Sequence, residues 1–261
     1  MQLGWFSIFA IAVGLCIGSF ANVVIHRFFV GKSVVTPSSH CVNCETSLKW
    51  RDMIPVVSWI ILKGRCRFCN VPISKSYPLI EVACALLFLI IATYRGICLS
   101  TVPLWGLSFV LLTVSEIDRR TLRIPDGLLL VGVLFGLMWV GLPCNGVNRI
   151  DALLGMIAGG LPLFLIDRLV WLTAKKPGFG LGDSKLMAMS GLFLGWQYVH
   201  VAFFVAFVTG GLWSTWLLAT KKAQRGSYIP FGPFLCLGIL VALLYLFNFS
   251  AAPCAKLIIF R

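Results

Sequence analysis

The strongest constraint in this sequence is the length and spacing of its apolar runs. A bilayer core of about 30 Å takes roughly 20 mostly apolar residues per helix. Eight such runs can be marked, some of them short: 3–25, 78–95, 101–117, 127–143, 150–172, 183–197, 199–219 and 232–250. The expected fold is therefore all-α, a polytopic membrane protein with about eight transmembrane helices. Composition supports this, because 59% of the 261 residues are hydrophobic and only 12% are charged, against about 25% charged in an ordinary soluble domain. A soluble enzyme is excluded. No internal repeat or low-complexity segment stands out.

The formal net charge is +13, which in a globular chain would suggest a nucleic-acid partner. Here the charge reads as topology instead. Of the 22 Lys and Arg residues, 18 fall in alternate breaks, Arg27 to Lys75, Arg119 to Arg123, Arg168 to Lys185 and Lys221 to Arg225. Only Arg95, Arg149, Lys256 and Arg261 fall on the other side. The positive-inside rule then puts the basic breaks in the cytoplasm and both termini in the periplasm, as an even number of spans requires. The first run has no basic stretch before it and is followed by Arg27 and Lys32, so it reads as an anchor and not as a cleaved signal peptide. Basic residues spread over several loops beside apolar spans give no support for nucleic-acid binding.

The one long polar segment, 27–77, carries Cys41-Val42-Asn43-Cys44 and Cys66-Arg67-Phe68-Cys69. Each pair can grip a tetrahedral metal through a tight turn, and the stretch from Glu45 to Arg65 closes the loop at near zinc-ribbon spacing. A cytosolic loop is in a reducing compartment, so disulfides are not expected. Cys41, Cys44, Cys66 and Cys69 are expected to hold a structural zinc. The bland alternative is four free thiols, and four thiolates leave no open position for a catalytic metal. The chain thus divides into an N-terminal region, 1–95, with two spans and a cytoplasmic zinc-binding loop domain, and a six-helix membrane domain, 101–250. Cys16, Cys84 and Cys236 fall inside apolar runs and are expected to be small buried hydrophobes. Cys98, Cys144 and Cys254 fall outside the runs, where one pair could oxidise with nothing to select which. His26, His40 and His200 lie near span ends without metal-ligand spacing and read as interfacial.

Charged groups in or beside membrane spans are costly and mark function by default. There are nine acidic residues. Glu45 and Asp52 belong to the polar loop, Asp151 suits a helix N-terminus, and Asp167 beside Arg168 reads as a paired interfacial charge. Glu81, Glu116, Asp118, Asp126 and Asp183 remain. Asp118 closes the third run, Asp126 follows in Ile124-Pro125-Asp126, and Asp183 stands in Gly180-Leu181-Gly182-Asp183-Ser184-Lys185 at the start of the sixth. All three are expected at the cytoplasmic boundary, where an acid pair can meet a substrate helix leaving the bilayer. Gly178, Gly180 and Gly182 would let a substrate backbone come close, with Gly182 removing bulk beside the Asp183 carboxylate. The same residues also suit a plain turn with Asp183 as N-cap, and Pro125 with Asp126 suits an ordinary helix start.

In order along the chain stand Gly18-Ser19-Phe20-Ala21-Asn22-Val23-Val24-Ile25-His26-Arg27, the paired CxxC loop with Gly64-Arg65-Cys66-Arg67-Phe68-Cys69, Pro72-Ile73-Ser74, and Tyr77-Pro78-Leu79-Ile80-Glu81. Asp118 with Ile124-Pro125-Asp126, the Gly180 to Lys185 motif, and Pro230-Phe231-Gly232-Pro233 follow. This series resembles the bacterial type IV prepilin peptidases, a family of GxGD aspartic proteases. The resemblance implies catalytic aspartates at Asp118 and Asp183, supported by Asp126, Gly180, Gly182 and Lys185. It implies a multi-pass inner-membrane endopeptidase that cuts the leader peptide from prepilins or pseudopilins after a glycine at the cytoplasmic face. It further implies N-methylation of the new N-terminal residue with S-adenosylmethionine, an activity associated in the family with the N-terminal half. No glycine-rich strand-to-helix fingerprint places a cofactor pocket. Glu81 is a candidate for that reaction, and pairing with Lys75 would account for it equally.

Hydrolysis by two carboxylates needs one ionised, to take a proton from water, and one protonated, to polarise the scissile carbonyl. Asp118 at a helix C-terminus and Asp183 at an N-terminus would differ through the helix dipole, which makes Asp183 the expected resting base. Two other classes fit the same composition: an ion- or proton-coupled membrane transporter working through intramembrane carboxylates, and a noncatalytic assembly scaffold that docks partners on its zinc loop.

Overall fold

The computed structural model describes residues 2–249 except 32, 37, 97, 143–145, 176–179, 223 and 225–227. Gly178, Cys144, Cys254, Lys256 and Arg261 lie outside the described residues, as do Lys32, Lys176 and Arg225. The described chain forms α1 (Gln2–Val30), α2 (Val57–Ile61), α3 (Ser76–Arg95), α4 (Thr101–Thr121), α5 (Asp126–Gly141), α6 (Arg149–Ala174), α7 (Leu181–Ala219) and α8 (Gly232–Phe249). Among the described residues the only β pairing is two isolated bridges. The expected all-α membrane architecture is what the structure shows. By length and composition five helices, α1, α3, α4, α6 and α7, can cross a bilayer, while α5 and α8 are apolar but shorter.

Two of the expected runs, 183–197 and 199–219, meet in the single 39-residue α7, which is interrupted at Gly195 with φ 67° and ψ 172°. Only glycine adopts that conformation without steric cost, so the direction of the helix changes there without a loop. The third run also extends beyond its apolar window. Glu116 pairs with Arg119 at 2.7 Å and with Arg120, three and four residues on, which carries the helix through the charged stretch. Leu122, at φ 56°, ends it with its N–H on the Asp118 carbonyl. Asp118 therefore lies inside the last turn of α4.

The chain forms two compact units, Met1–Ile97 and Cys98–Arg261. In the first, α1 packs on α3 through glycines. A methyl at Gly14 would stand 2.6 Å from the Cα of Ala85, and one at Gly18 would stand 2.7 Å from the Cα of Glu81. Small residues let membrane helices approach this closely. The cysteine loop connects the two helices.

In the second unit α4 is the most enclosed element, with Leu104, Leu107, Val110, Leu111, Val114 and Ile117 fully buried. Buried Ser108 and Thr113 donate to the carbonyls of Leu104 and Phe109 at 3.0 and 2.7 Å, so neither hydroxyl is left unsatisfied. This helix is faced by protein more than by lipid, which explains why it is the least apolar of the five. By contrast, α6 and α7 expose Leu161, Leu165, Leu169, Phe204 and Leu212. Gly155 of α6 meets Gly191 of α7, and Gly238 of α8 meets Ala202. The first half of α7 thus packs on α6 and its second half on α8.

Candidate active site and metal centre

Asp118 on α4 and Asp183 on α7 are 5% and 9% exposed. Asp118 stands near enough to act electrostatically on Asp183. Asp118 Oδ2 accepts the backbone N–H of Gly232, the first residue of α8, at 2.9 Å. Asp183 Oδ2 accepts the N–H of Gly180 at 3.2 Å, while its own N–H donates to the Gly180 carbonyl at 3.0 Å. Gly180 is the N-cap of α7 and Asp183 is at N3, so this carboxylate forms the returning half of a capping box. Cys236, buried one turn beyond Gly232 on α8, lies within the field of both carboxylates.

This geometry removes the expected difference between the two acids. Asp118 sits near the C-terminal end of its own helix, but the N-terminus of α8 supplies it with a donor, so both carboxylates face a helix start. Glycine roles also change. A methyl at Gly182 would stand 2.8 Å from the Cβ of Ile124, whereas a methyl at Gly180 would meet Asp183 Oδ2 at 3.3 Å. Gly182 therefore permits close packing on the α4–α5 connection, and Gly180 is the glycine beside the carboxylate.

The remaining short-listed acids are engaged elsewhere. Glu116 is held by Arg119 and Arg120. Asp126, at the first turn of α5 after its N-cap Pro125, is exposed and pairs with exposed Lys185 at 2.7 Å, joining the starts of α5 and α7. Asp151 accepts the indole N–H of Trp196 at 3.2 Å, beside the break in α7.

In the cysteine loop, the sulfurs of Cys41, Cys44, Cys66 and Cys69 all lie within 4.8 Å of one another, with Cys41 and Cys69 at 3.8 Å. A tetrahedron with zinc–sulfur bonds of about 2.3 Å has edges of about 3.8 Å, so the cluster fits that ion. Two turns of the same form build it. Cys41 N–H donates to the Thr46 carbonyl at 3.0 Å and Cys66 N–H to the Val71 carbonyl at 2.9 Å. The bridges His40 to Ser47 and Arg65 to Pro72 close them, and Glu45 and Asn70 hold equivalent positive φ values of 52° and 56°. A structural repeat is therefore present where the sequence reading finds none, because backbone geometry is conserved between the two turns and side chains are not. Outside the four ligand positions, Cys84 and Cys236 are buried as expected, but Cys16 is exposed, on the wall of a cavity in the first unit.

The thiols differ in acidity. The hydroxyl and backbone N–H of Thr46 push Cys44 down to about 6, and the backbone N–H groups of Cys69 and Phe68 lower Cys66. At Cys41 the backbone N–H groups of Cys44 and Asn43 act in the same direction, but burial and the neighbouring Cys66 and Cys44 thiols outweigh them and push it up to about 11.

Glu81 is buried, and among the described residues it makes no ion pair with Lys75 or any other cation. Its Oε2 accepts the backbone N–H of Val56 at 2.7 Å. Two features carried no role in the sequence. Gly232 is visible only as part of Pro230-Phe231-Gly232-Pro233, and the Val56 contact has no sequence signal.

Residues 12–95 match the Bacterial Peptidase A24 N-terminal domain, and residues 105–215 match the Type IV leader peptidase family. The chain is 34% identical to a prepilin leader peptidase/N-methyltransferase of Stutzerimonas stutzeri, over 92% of this chain and 91% of the relative. A protein of the same name from Pseudomonas putida is 33% identical, over 94% and 92%, and one from Aeromonas hydrophila is 32% identical, over 88% of each. No solved structure matches the chain.

Proposed function

Since the chain belongs to the type IV leader peptidase family, we propose that it is a multi-pass inner-membrane aspartic endopeptidase. It removes the leader of prepilins or pseudopilins at the cytoplasmic face and N-methylates the new amino terminus, with both of its own termini in the periplasm. The observation that supports the cleavage reading is that two buried carboxylates from helices distant in sequence, Asp118 and Asp183, stand near enough for Asp118 to act electrostatically on Asp183.

Close like charges in a dry site share one proton. The ionised member takes a proton from water as that water attacks the scissile carbonyl, and the protonated member donates its proton to the carbonyl oxygen. The proton taken from water then passes to the departing amine as the C–N bond breaks, and the first donor recovers a proton from the gem-diol hydroxyl. The Gly232 and Gly180 N–H groups hold Oδ2 of each carboxylate, which leaves each Oδ1 for water or the peptide. Cys41, Cys44, Cys66 and Cys69 would hold a zinc that fixes the shape of the loop, with no open coordination position for chemistry. S-adenosylmethionine would supply an electrophilic methyl for the second activity.

The test is cleavage of a membrane-inserted prepilin by the purified protein in detergent. Asp118→Asn and Asp183→Asn each keep the acceptor for their backbone N–H and remove the titration. Each is expected to lose cleavage by about 10²-fold or more, with normal accumulation. Full activity in either variant overturns the dyad, and no cleavage by the unaltered protein overturns the peptidase reading.

A further inference from the structure

The first unit contains a half-open cavity of about 420 Å³, inside the range of about 300–1,000 Å³ for small-molecule sites. Ser19 and Asn22 of α1, Asp52 and Trp59 of the loop, and Tyr77 and Glu81 of α3 are among its lining residues. We infer that this cavity is the methyl-donor site and that the Glu81 carboxylate is the counter-charge recognising the sulfonium cation. The inference rests on the methyl-transfer half of the function proposed above.

Three observations carry it. Glu81 is 6% exposed, and the groups that touch it are neutral: the Val56 N–H at 2.7 Å and the side chains of Ser19 and Asn22. A buried carboxylate without a cation is costly, and it faces a space large enough to admit one. Of the other charged side chains of the lining, Asp52 pairs with Arg67 at 2.7 Å, and Arg27 is a buried cation whose guanidinium is turned to the Ser33 carbonyl at 2.8 Å. The backbone is also distorted to serve Glu81. Val56 holds φ 60°, a conformation that a β-branched residue avoids, and its N–H is the one that Glu81 accepts. Strain of this kind persists where surrounding structure fixes it and collects at ligand sites. Finally, the Trp59 ring forms a fixed aromatic wall. Its indole N–H donates to the Ile73 carbonyl at 3.3 Å, and the ring lies against Gly64, where a methyl would come within 2.8 Å of it. A carboxylate with an aromatic wall is a cation-recognising combination.

Methyl transfer forms a bond from the substrate amine nitrogen to the methyl carbon. It breaks the carbon–sulfur bond with its electron pair kept on sulfur, and it releases the amine proton to solvent. The product donor is a neutral thioether, so a counter-charge at Glu81 must distinguish S-adenosylmethionine from S-adenosylhomocysteine. A merely structural Glu81 would not.

The test is calorimetric titration of the full-length, zinc-loaded protein in detergent with each compound. Glu81→Gln keeps an acceptor for the Val56 N–H. It is expected to weaken S-adenosylmethionine binding about tenfold or more while leaving S-adenosylhomocysteine within about twofold, as for loss of one charge-assisted contact. Ser19→Phe, which fills the cavity from α1, is expected to exclude both compounds. Leader cleavage and zinc content serve as folding controls. Unchanged S-adenosylmethionine affinity in Glu81→Gln, or equal weakening of both compounds, overturns the inference while leaving the proposed function standing. If the unaltered protein binds neither compound and leaves the new amine unmethylated, the methyl-transfer reading falls and the inference with it.

Discussion

Gly232 donates its backbone N–H to Asp118 Oδ2 at 2.9 Å across 114 residues of sequence, so the start of α8 holds one of the two buried carboxylates. Pro233 follows and has no N–H of its own, which leaves Gly232 as the donor at this helix start. The partial positive charge of a helix N-terminus, roughly half an elementary charge, is thereby directed at the acid that its own helix would disfavour. The motif Pro230-Phe231-Gly232-Pro233 thereby gains a contact: its Gly232 N–H holds one oxygen of the Asp118 carboxylate.

A methyl group at Gly232 would stand 2.7 Å from Asp118 Oδ2 and 2.9 Å from its Cγ, so Gly232→Ala forces the carboxylate to rotate away from the N–H. Misplacing a catalytic group by about 1 Å can cost on the order of 10²-fold in rate. The expected outcome is a kcat for leader cleavage reduced by about 10- to 100-fold, with zinc content and S-adenosylmethionine binding unchanged. Wild-type kcat in this variant would show that the Gly232 contact does not position Asp118.

Asp126 belongs to the same sequence motif as Asp118 but is 74% exposed at its side chain and pairs with the 55% exposed Lys185. Exposed ion pairs contribute about 0–1 kcal/mol. Asp126→Asn and Lys185→Gln should therefore each lower thermal stability only slightly and reduce cleavage by less than about tenfold. Loss of cleavage in Asp126→Asn alone, with Asp118→Asn active, would transfer the catalytic role to Asp126.

The metal centre gives a pH prediction. Cys44 has an ordinary value of 9.0 and is pushed down to about 6, so its thiolate stabilises the metal-free loop above its ordinary value, and that contribution is lost as the pH falls through about 6. Cys41 is shifted the other way, to about 11, so its contribution is present below its ordinary value and is lost only as the pH rises through about 11. Binding a dication needs four thiolates, and protons compete for them. Zinc extraction by a chelator should accelerate as the pH is lowered from 7.5 through 6, with one zinc per chain released and the loop losing protection from proteolysis. Cys66→Ser should lower zinc content at neutral pH, and a full complement of zinc in that variant would move the site elsewhere.

What the sequence could reveal was set by the range of the interaction. The four cysteines and the two aspartates stand in short motifs whose spacing is itself the chemistry, so they are readable one motif at a time. The Gly232 contact is not, because two remote segments make it and neither records the other. Hydropathy reports the surroundings of a helix only loosely. It gave Cys16 the same environment as Cys84 and Cys236, yet Cys16 is exposed on a cavity wall, since an apolar run does not record where a cavity opens between its helix and its neighbours. The break at Gly195 was hidden for a related reason: an apolar run continues on both sides of it, and only the positive φ reveals the change of direction.

Gly182 offers a decision between two physical roles. The sequence motif suggests that it admits a substrate backbone beside Asp183. In the structure its missing side chain is filled by Ile124, whose Cβ would lie 2.8 Å from a methyl at this position. Gly182→Ala should therefore displace the start of α7 from the α4–α5 connection, and Asp183 with it, lowering cleavage by about tenfold or more. Removing the neighbour's Cβ should relieve the clash, so the double variant Gly182→Ala with Ile124→Gly is expected to recover most of the lost activity. A substrate-approach role makes the opposite forecast, because space made at Ile124 does nothing for a peptide on the other side of the glycine. Comparing kcat and KM across the two single variants and the double variant separates these roles, and a double variant as impaired as Gly182→Ala alone would return Gly182 to the substrate groove.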